Sequence, residues 1–571
     1  MGLTTGHDRG EPKPAPKRND VIRGEAAGQG GLWRKRRCWL TLLLCGVAMV
    51  TALGFWIDLG DGPRWRPNVT AEDHLSVIGR PTDGASELPQ AGAGDARPIA
   101  TEIEFTECWF VMPADHHASC GVLTVPERWQ ADRSRALHLK FVVFRASVPS
   151  AVEPMIYVNG GPGDAAGIDE RSIGRWWALI DRTSWLKARD LVVFDPRGVG
   201  LSSPSLICHE LGDAAALIFG QSLSLEQSNS AWSHAAGQCQ ERLRELGVEL
   251  DQYTTEANIA DLHSLIAHLG YRSWTLLAVS YGSRVALGLI DRWPEGTSAV
   301  ILDSVYPNGE VAYADAGKSA AGAFSRLFQE CDAHRSCRSD FPQIAATFER
   351  VVQRAAVTPI AISLANPSGG PRLQARLDDS RLIDVLVHAF YNWQDIARLP
   401  AIITALDEGD VRPLEHLADI TVGVYASEEI SHGVFFSVEC RDAFPFPDHD
   451  AIERTITEVP LYRSFVLSNL LLAVCPRWPI DRAEPRERAA VNREVPILVL
   501  SGEIDPFTPP QWARVLASTR KAVQIEFRGV GHGVLDAHAC AGRIVARFLR
   551  DPTGSPVDDC LLAVGTGASG K

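Results

Sequence analysis

Short apolar runs rich in β-branched and aromatic residues recur along this 571-residue chain, and they constrain its fold more than any other feature. They read LHLKFVVFRA (137–146), PMIYVNG (154–160), DLVVFDPRG (190–198), WTLLAVS (274–280), SAVILDSV (298–305), VPILVLSGE (495–503) and AVQIEFRG (522–529). Short runs of this kind, bounded by Gly, Pro, Asp or Ser, predict strands buried on both faces of a sheet. Helical periodicity lies between several of them. In IADLHSLIAHLG (259–270), Leu262, Leu265, Ile266 and Leu269 share one helical face. Strands alternating with helices predict an α/β fold with a mostly parallel sheet and helices on both faces.

The alternation stops over residues 306–490, which read as mainly helical: AGAFSRLFQECDAH, SRLIDVLVHAFYNW and RSFVLSNLLLAV. Strand signals return at Val495. A helical insert between two late strands predicts a cap over the C-terminal edge of the sheet, where open α/β sheets bind ligands. The expected division is a core over 101–305, a cap over 306–490 and a return to the core over 491–571.

The first hundred residues have another character. Residues 1–37 carry nine Lys/Arg against four Asp/Glu and are rich in Pro and Gly, which predicts a disordered basic tail. CWLTLLLCGVAMVTALGFWI follows, Cys38 to Ile57, without a charge. Twenty residues at about 1.5 Å each span a bilayer core of about 30 Å. Arg34-Lys35-Arg36-Arg37 on its N-terminal side predicts that the tail stays cytoplasmic. The segment is read as a transmembrane signal-anchor, with secretion after signal cleavage as the alternative. Residues 58–100, rich in Gly, Pro, Ala and Asp, are read as a linker. Everything beyond is expected in the periplasm or outside the cell.

Ten cysteines lie beyond the apolar segment, an even number that suggests disulfides in an exported domain. Their clustering favours neighbour pairing, 108–120, 208–239, 331–337, 440–475 and 540–560, while leaving the connectivity open. No C-x-x-C or Cys/His cluster predicts a metal site, and no organic cofactor is expected. The net charge is −14, without a basic stripe interleaved with aromatics, which argues against nucleic acid as a partner.

The chemistry centres on A-V-S-Y-G, residues 278–282. Ser280 follows a predicted strand and precedes the helical stretch SRVALGLIDRW. A strand–Ser–helix turn presents the hydroxyl at the sheet edge on a strained backbone, with small residues on either side. Alone, S-x-G favours an ordinary turn. Two later residues change the balance: Asp505 in GEIDPFTPP and His532 in GVGHG each follow a predicted strand. The order Ser, Asp, His is that of α/β-hydrolases, with His532 as general base and acid and Asp505 as its orienting acid. Asp303 in ILDSV also follows a strand and is the rival acid. An oxyanion hole needs two N–H groups: Tyr281 beside the nucleophile, and Gly161 in YVNGGPG, with Gly160 as the alternative.

These motifs together resemble the prolyl/tripeptidyl aminopeptidase group of α/β-hydrolases, which carries H-G-G-P-G, D-x-R-G-x-G-x-S and G-x-S-Y-G before a late Asp and His. This chain has NGGPG (159–163), DPRGVGLS (195–202), AVSYG, GEIDPFTP (502–509) and GVGHG (529–533). The cysteine layout and SVECRDAFPF (437–446) are similar to secreted bacterial members with a tripeptidyl-aminopeptidase-like C-terminal region. Two positions depart from the pattern: Asn159 stands for the His and Ala278 for the first elbow Gly. The resemblance, spanning roughly 101–571, implies an α/β-hydrolase fold with a helical cap. It implies that Asp195 and Arg197 are architectural. It also implies a serine hydrolase removing short N-terminal pieces from peptides, with Glu439 and Asp442 near the substrate ammonium. An esterase or lipase-like enzyme with the same triad is the alternative; a non-catalytic binding protein is the other.

Overall fold

The computed structural model describes residues 101–563, apart from 132, 149–151, 222, 447–449, 492 and 519–521. The expected tail, apolar segment and linker lie outside the described residues. No helix among the described residues is long and apolar enough to cross a membrane.

Eleven strands follow in chain order: β1 (Glu102–Thr106), β2 (Ala118–Pro126), β3 (Ala136–Phe144), β4 (Met155–Val158), β5 (Leu191–Phe194), β6 (Trp274–Val279), β7 (Thr297–Asp303), β8 (Ile360–Leu364), β9 (Leu373–Leu377), β10 (Ile497–Gly502) and β11 (Ala522–Phe527). Nine form one sheet in the order β1-β2-β3-β5-β4-β6-β7-β10-β11. Pairing is antiparallel from β1 through β3 to β5 and parallel from β5 to β11. The seven apolar runs are β3–β7, β10 and β11.

Period-2 alternation explains why these runs are apolar throughout. Leu276 and Ala278 of β6, Val300 and Leu302 of β7, and Ile497 and Val499 of β10 pack into one core. Their neighbours Leu277, Ala299, Ile301, Leu498 and Leu500 pack into a second core. Successive side chains of a strand point to opposite faces, so helices on both sides bury the inner strands almost throughout, while β3 and β11 keep partly exposed polar positions. The helix Thr255–Leu269 supplies Leu262, Leu265 and Ile266 to the first core, as its periodicity predicts.

The residues between β7 and β10 are mostly helical, with one correction. β8 and β9 form an antiparallel hairpin around the Gly/Pro-rich ANPSGGP, burying Ile362, Leu364, Ala375 and Leu377. IAISL and LQARL alternate with the strand period, a signal too short to stand out among the helices. Helices Glu210–Gly220 and Leu225–Glu245, inserted between β5 and β6, add a further wall. Ser224 and Gln227 form a capping box at the start of the second.

All five neighbour disulfides form. Cys208–Cys239 ties the segment just before the Glu210–Gly220 helix to the helix Leu225–Glu245, and Cys440–Cys475 pins the helix His432–Asp442. Each cross-link contributes about 2–4 kcal/mol by restricting the unfolded chain.

Candidate active site

Strand β6 delivers Ser280 to the edge of the sheet, and the helix Gly282–Arg292 starts two residues later. Ser280 has φ 53°, a left-handed conformation rare for a residue with a side chain. Such a residue costs about 1–3 kcal/mol and persists only where its surroundings hold it. The Ser280 N–H donates to the Asp303 carbonyl at 2.9 Å, and the Ser280 carbonyl accepts from the Ser283 N–H at 3.0 Å. Gly282 is required by space: a Cβ there would meet Val158 O at 2.3 Å and Asn159 O at 2.6 Å. Ala278 pairs with Val158 in register and is fully buried, so its methyl is part of the core.

Asp505 and His532 come from the loops after β10 and β11. Asp505 Oδ1 accepts from the Phe507 N–H at 2.8 Å and the Thr508 N–H at 3.0 Å. Its Oδ2 accepts from Thr508 Oγ1 at 2.6 Å and His532 Nδ1 at 2.8 Å. A carboxylate only accepts, so Nδ1 carries the proton and Nε2 is left as the basic nitrogen. The His532 side chain is 8% exposed and that of Asp505 fully buried. Burial disfavours the imidazolium, but the charge and hydrogen bond of Asp505, with Asp303 and Asp164 behind, outweigh it; the His532 pKa is raised.

Asp303 is committed elsewhere. Its Oδ1 accepts from the Val534 N–H at 2.8 Å and Ser304 Oγ at 3.1 Å, and its Oδ2 from the Leu535 N–H at 2.9 Å. It fixes the turn that follows His532, and burial lifts its pKa to about 6.

The loop after β4 carries Gly161 at φ 102°, where a Cβ would strike Gly163 N at 2.6 Å. Asn159 takes the position of the family His and clamps this loop. Its Nδ2 donates to the Asp164 carbonyl at 2.7 Å, and its Oδ1 accepts from the Tyr157 hydroxyl at 3.1 Å. Gly160 packs with its Cα hydrogens against Ser280, where a Cβ would lie 3.2 Å from Ser280 Cβ. Among the described residues, no hydrogen bond claims the N–H of Gly161 or of Tyr281. The Tyr281 ring is buried; its hydroxyl bonds Thr255 Oγ1 at 2.9 Å and accepts from Asn258 Nδ2 at 3.2 Å. Tyr281 is thereby held from its side chain, leaving its N–H fixed beside Ser280.

Asp195 and Arg197 are architectural. Asp195 accepts from the Ala166 N–H at 2.7 Å and the Leu201 N–H at 2.8 Å. Fully buried Arg197 makes a bidentate pair with Asp261, both contacts at 2.7 Å.

Ser280, His532, Asn159, Gly160 and Gly161 line one cavity of about 930 Å³ under the helical insert. Glu439 lines it too and is 4% exposed. Its Oε2 accepts from the Tyr306 hydroxyl at 3.3 Å, while its Oε1 has no hydrogen-bond partner. Burial lifts its carboxyl to about 7; the Arg284 guanidinium opposes the rise and Asp442 adds to it. Asp442 is not on the cavity wall. Its carboxylate accepts from Thr255 Oγ1, the group that also bonds Tyr281, so the shorter acid braces the nucleophile turn from behind.

Sequence reasoning missed Thr508, although it lies in the quoted GEIDPFTP; its hydroxyl bonds Asp505 and sits 3.2 Å from His532 Nδ1. It also missed the carboxylates on the wall: Asp164, Asp378, Asp379, Asp384 and Asp395 join Glu439 there, against the single cation Arg381 among the Lys and Arg residues. Four of them fall within residues 378–395, Asp164 follows β4 and Glu439 lies on the helix His432–Asp442, and no local pattern marks them.

A family model described as alpha/beta hydrolase fold matches residues 153–394, and one described as TAP-like protein matches 460–560. Serine protease Hip1 of Mycobacterium tuberculosis is 27% identical over 496 residues, covering 80% of this chain and 90% of that protein. Carboxylesterase B of the same organism is 26% identical over 514 residues, covering 84% and 94%. Tripeptidyl aminopeptidase of Streptomyces coelicolor is 24% identical over 497 residues, covering 84% and 88%.

Proposed function

Because this chain is an α/β-hydrolase with a tripeptidyl-aminopeptidase-like C-terminal region and a serine hydrolase, we propose that it is an exported aminopeptidase releasing short N-terminal pieces from peptides. Ser280 Oγ attacks the scissile carbonyl while His532 Nε2 takes its proton. His532 then returns the proton to the leaving amine, and water repeats the sequence on the acyl-enzyme. Asp505, with Thr508 beside it, holds the imidazole tautomer and stabilises the imidazolium. The N–H groups of Gly161 and Tyr281 receive the oxyanion. This type of stabilisation is worth about 3–4 kcal/mol per donor.

One observation carries the peptide reading: a buried carboxylate oxygen, Glu439 Oε1, without a partner on the wall that holds Ser280. An α-ammonium supplies the charge-assisted donors such an oxygen lacks. An ester carries no such group; the apolar side chains that share the wall, Ile218, Phe219, Trp232 and Leu471 among them, seat an acyl chain as well as a peptide, so the distinction rests on Glu439. The carboxylesterase reading shares the triad and is favoured only by a relative of that name.

The test is a panel of free peptides, the same peptides N-acetylated, and short-chain esters. Turnover confined to free N-termini is expected; undiminished cleavage of acetylated peptides would sink the aminopeptidase assignment. The five disulfides support an oxidising compartment, and Cys38–Ile57 is the proposed anchor. Thiol reagents labelling the ten cysteines in cells without reductant would argue against export.

A further inference from the structure

The helix Asp379–His388 presents Asp384 to the cavity on a different element from Glu439. The Asp384 side chain is 28% exposed, and it lines the cavity. Among the described residues its carboxylate accepts no hydrogen bond. His388 Nδ1 is within 2.9 Å of the Asp384 carbonyl and 3.8 Å from the nearer carboxylate oxygen. A carbonyl only accepts, so that N–H is already spent on the backbone. Arg381, the one arginine on the wall, is paired with Asp378 and Ser228 Oγ. Asp384 therefore lines the cavity without a Lys or Arg partner, His388 beside it being a cation only when protonated.

Aromatic rings line the same cavity. Tyr391, Tyr425 and Trp232 all line the cavity, and the Trp232 and Tyr425 rings lie 4.6 Å apart. Burial raises the pKa of both tyrosines, and the Asp384 charge, felt by each, adds to it. A carboxylate among aromatic faces is a setting for a cation: the acid supplies charge, and the rings attract it through their faces.

We propose that Asp384, with Tyr425 and Trp232, forms a second cation subsite that selects peptides carrying a lysine or arginine side chain. The proposal rests on the aminopeptidase reading in one respect: there Glu439 takes the α-ammonium. A peptide with a neutral sequence brings a single cation. Asp384 and Glu439 lie on separate helices of one cavity, and a peptide with a basic side chain brings a cation for each. The partly solvated Asp384 charge is then matched by a basic substrate and left unmatched by a neutral one, which makes the subsite a device of selectivity.

The experiment compares kcat/KM for free peptides that differ at one position, lysine against norleucine, scanned through the first residues. The wild-type enzyme is expected to favour lysine at one position by about 10- to 100-fold, the range of a hydrogen bond to a charged group. Asp384→Asn should bring that ratio close to one, with fluorophosphonate labelling of Ser280 showing that the variant is folded. Tyr425→Leu should lower the ratio by about 2- to 5-fold, the share of one ring face, and serves where Asp384→Asn does not label. Lysine and norleucine p-nitrophenyl esters give the same ratio even if peptide bonds are not cleaved, which separates this proposal from the aminopeptidase reading. The subsite is overturned by a wild-type ratio near one at every position, or by a ratio that both variants leave unchanged. An equal loss on lysine and norleucine peptides in Asp384→Asn also overturns it and makes Asp384 the ammonium anchor.

Discussion

Replacing Glu439 by Gln should damage activity and stabilise the fold, and the two effects have one origin. Glu439 is 4% exposed, and its Oε1 is unpartnered. Burial moves its carboxyl from the usual 4.5 to about 7. The folded state therefore prefers the neutral acid. The stability that the protonated acid confers is complete below about pH 4.5 and is lost as pH rises through about 7. That interval corresponds to roughly 3 kcal/mol at 25 °C. Gln keeps the shape and has no proton to lose, so Glu439→Gln should gain on the wild type across this window. The gain should reach a few kcal/mol at pH 8 and vanish near pH 4. Denaturant midpoints at the two pH values measure it.

The same substitution removes the charge that would pair with an α-ammonium. A loss of about 10- to 100-fold in kcat/KM on free peptides is expected, mainly through KM. In the wild type KM should also rise as pH falls below about 7, because the acid becomes neutral; in the variant that dependence should disappear. A stability difference that is flat between pH 4 and 8 would refute the burial argument. A flat difference in KM with intact stability behaviour would refute only the ammonium assignment.

Ser280→Ala should lose fluorophosphonate labelling and peptide turnover, by about 10³-fold or more. Asp505→Asn should cost far more activity than Asp303→Asn, because Asp505 meets His532 Nδ1 while Asp303 holds the N–H groups of Val534 and Leu535; initial rates and thermal midpoints separate the two. The acidic limb of the kcat/KM profile should lie above the ordinary histidine value of 6.5, since His532 must be neutral to act as base and its net shift is upward. A limb below 6.5 would contradict that sign. Gly282→Ala should destabilise by about 1–3 kcal/mol and reduce labelling, because its methyl would sit 2.3 Å from Val158 O; an unchanged thermal midpoint would refute the clash.

The sheet is legible because its inner strands are buried on both faces and leave unbroken apolar runs. Edge strand β1, EIEFT, is mostly exposed and leaves no such run. β2, ASCGVLTVP, mixes polar and buried residues and includes Gly121, whose missing Cβ makes room for the Phe141 ring. The proposed triad, Ser280, Asp505 and His532, is legible because each member follows a strand that is itself visible. The cavity wall is not. Glu439 was reached through a neighbouring cysteine motif, whereas Asp164, Asp384 and Asp395 are unremarkable acids in sequence. Only tertiary packing brings them to one wall. Asp442 shows the reverse case: its position in the motif pointed to substrate, but its side chain bonds Thr255 behind the nucleophile.

Asn159 shows how a catalytic loop tolerates the loss of a motif residue. The loop must hold Gly161 at φ 102° with its N–H unclaimed; glycine adopts this φ readily, and neighbouring groups select it from the many conformations glycine allows. A primary amide has a donor and an acceptor at opposite corners, and Asn159 uses both, one on the Asp164 carbonyl and one on the Tyr157 hydroxyl. The Asp164 carbonyl is thereby fixed on one side of the turn. On the other, the Gly163 carbonyl accepts from the Ser431 N–H at 2.8 Å and the Ala165 N–H donates to the Glu429 carbonyl at 2.7 Å. The oxyanion loop is thus strapped to the segment that leads into the Glu439 helix. A shift of that helix would move Glu439 and Gly161, the proposed ammonium anchor and oxyanion donor, together, so in that proposal the spacing from the substrate N-terminus to the scissile carbonyl is set by one connected unit. For the aminopeptidase proposed above, that linkage matters more than whether residue 159 is His or Asn.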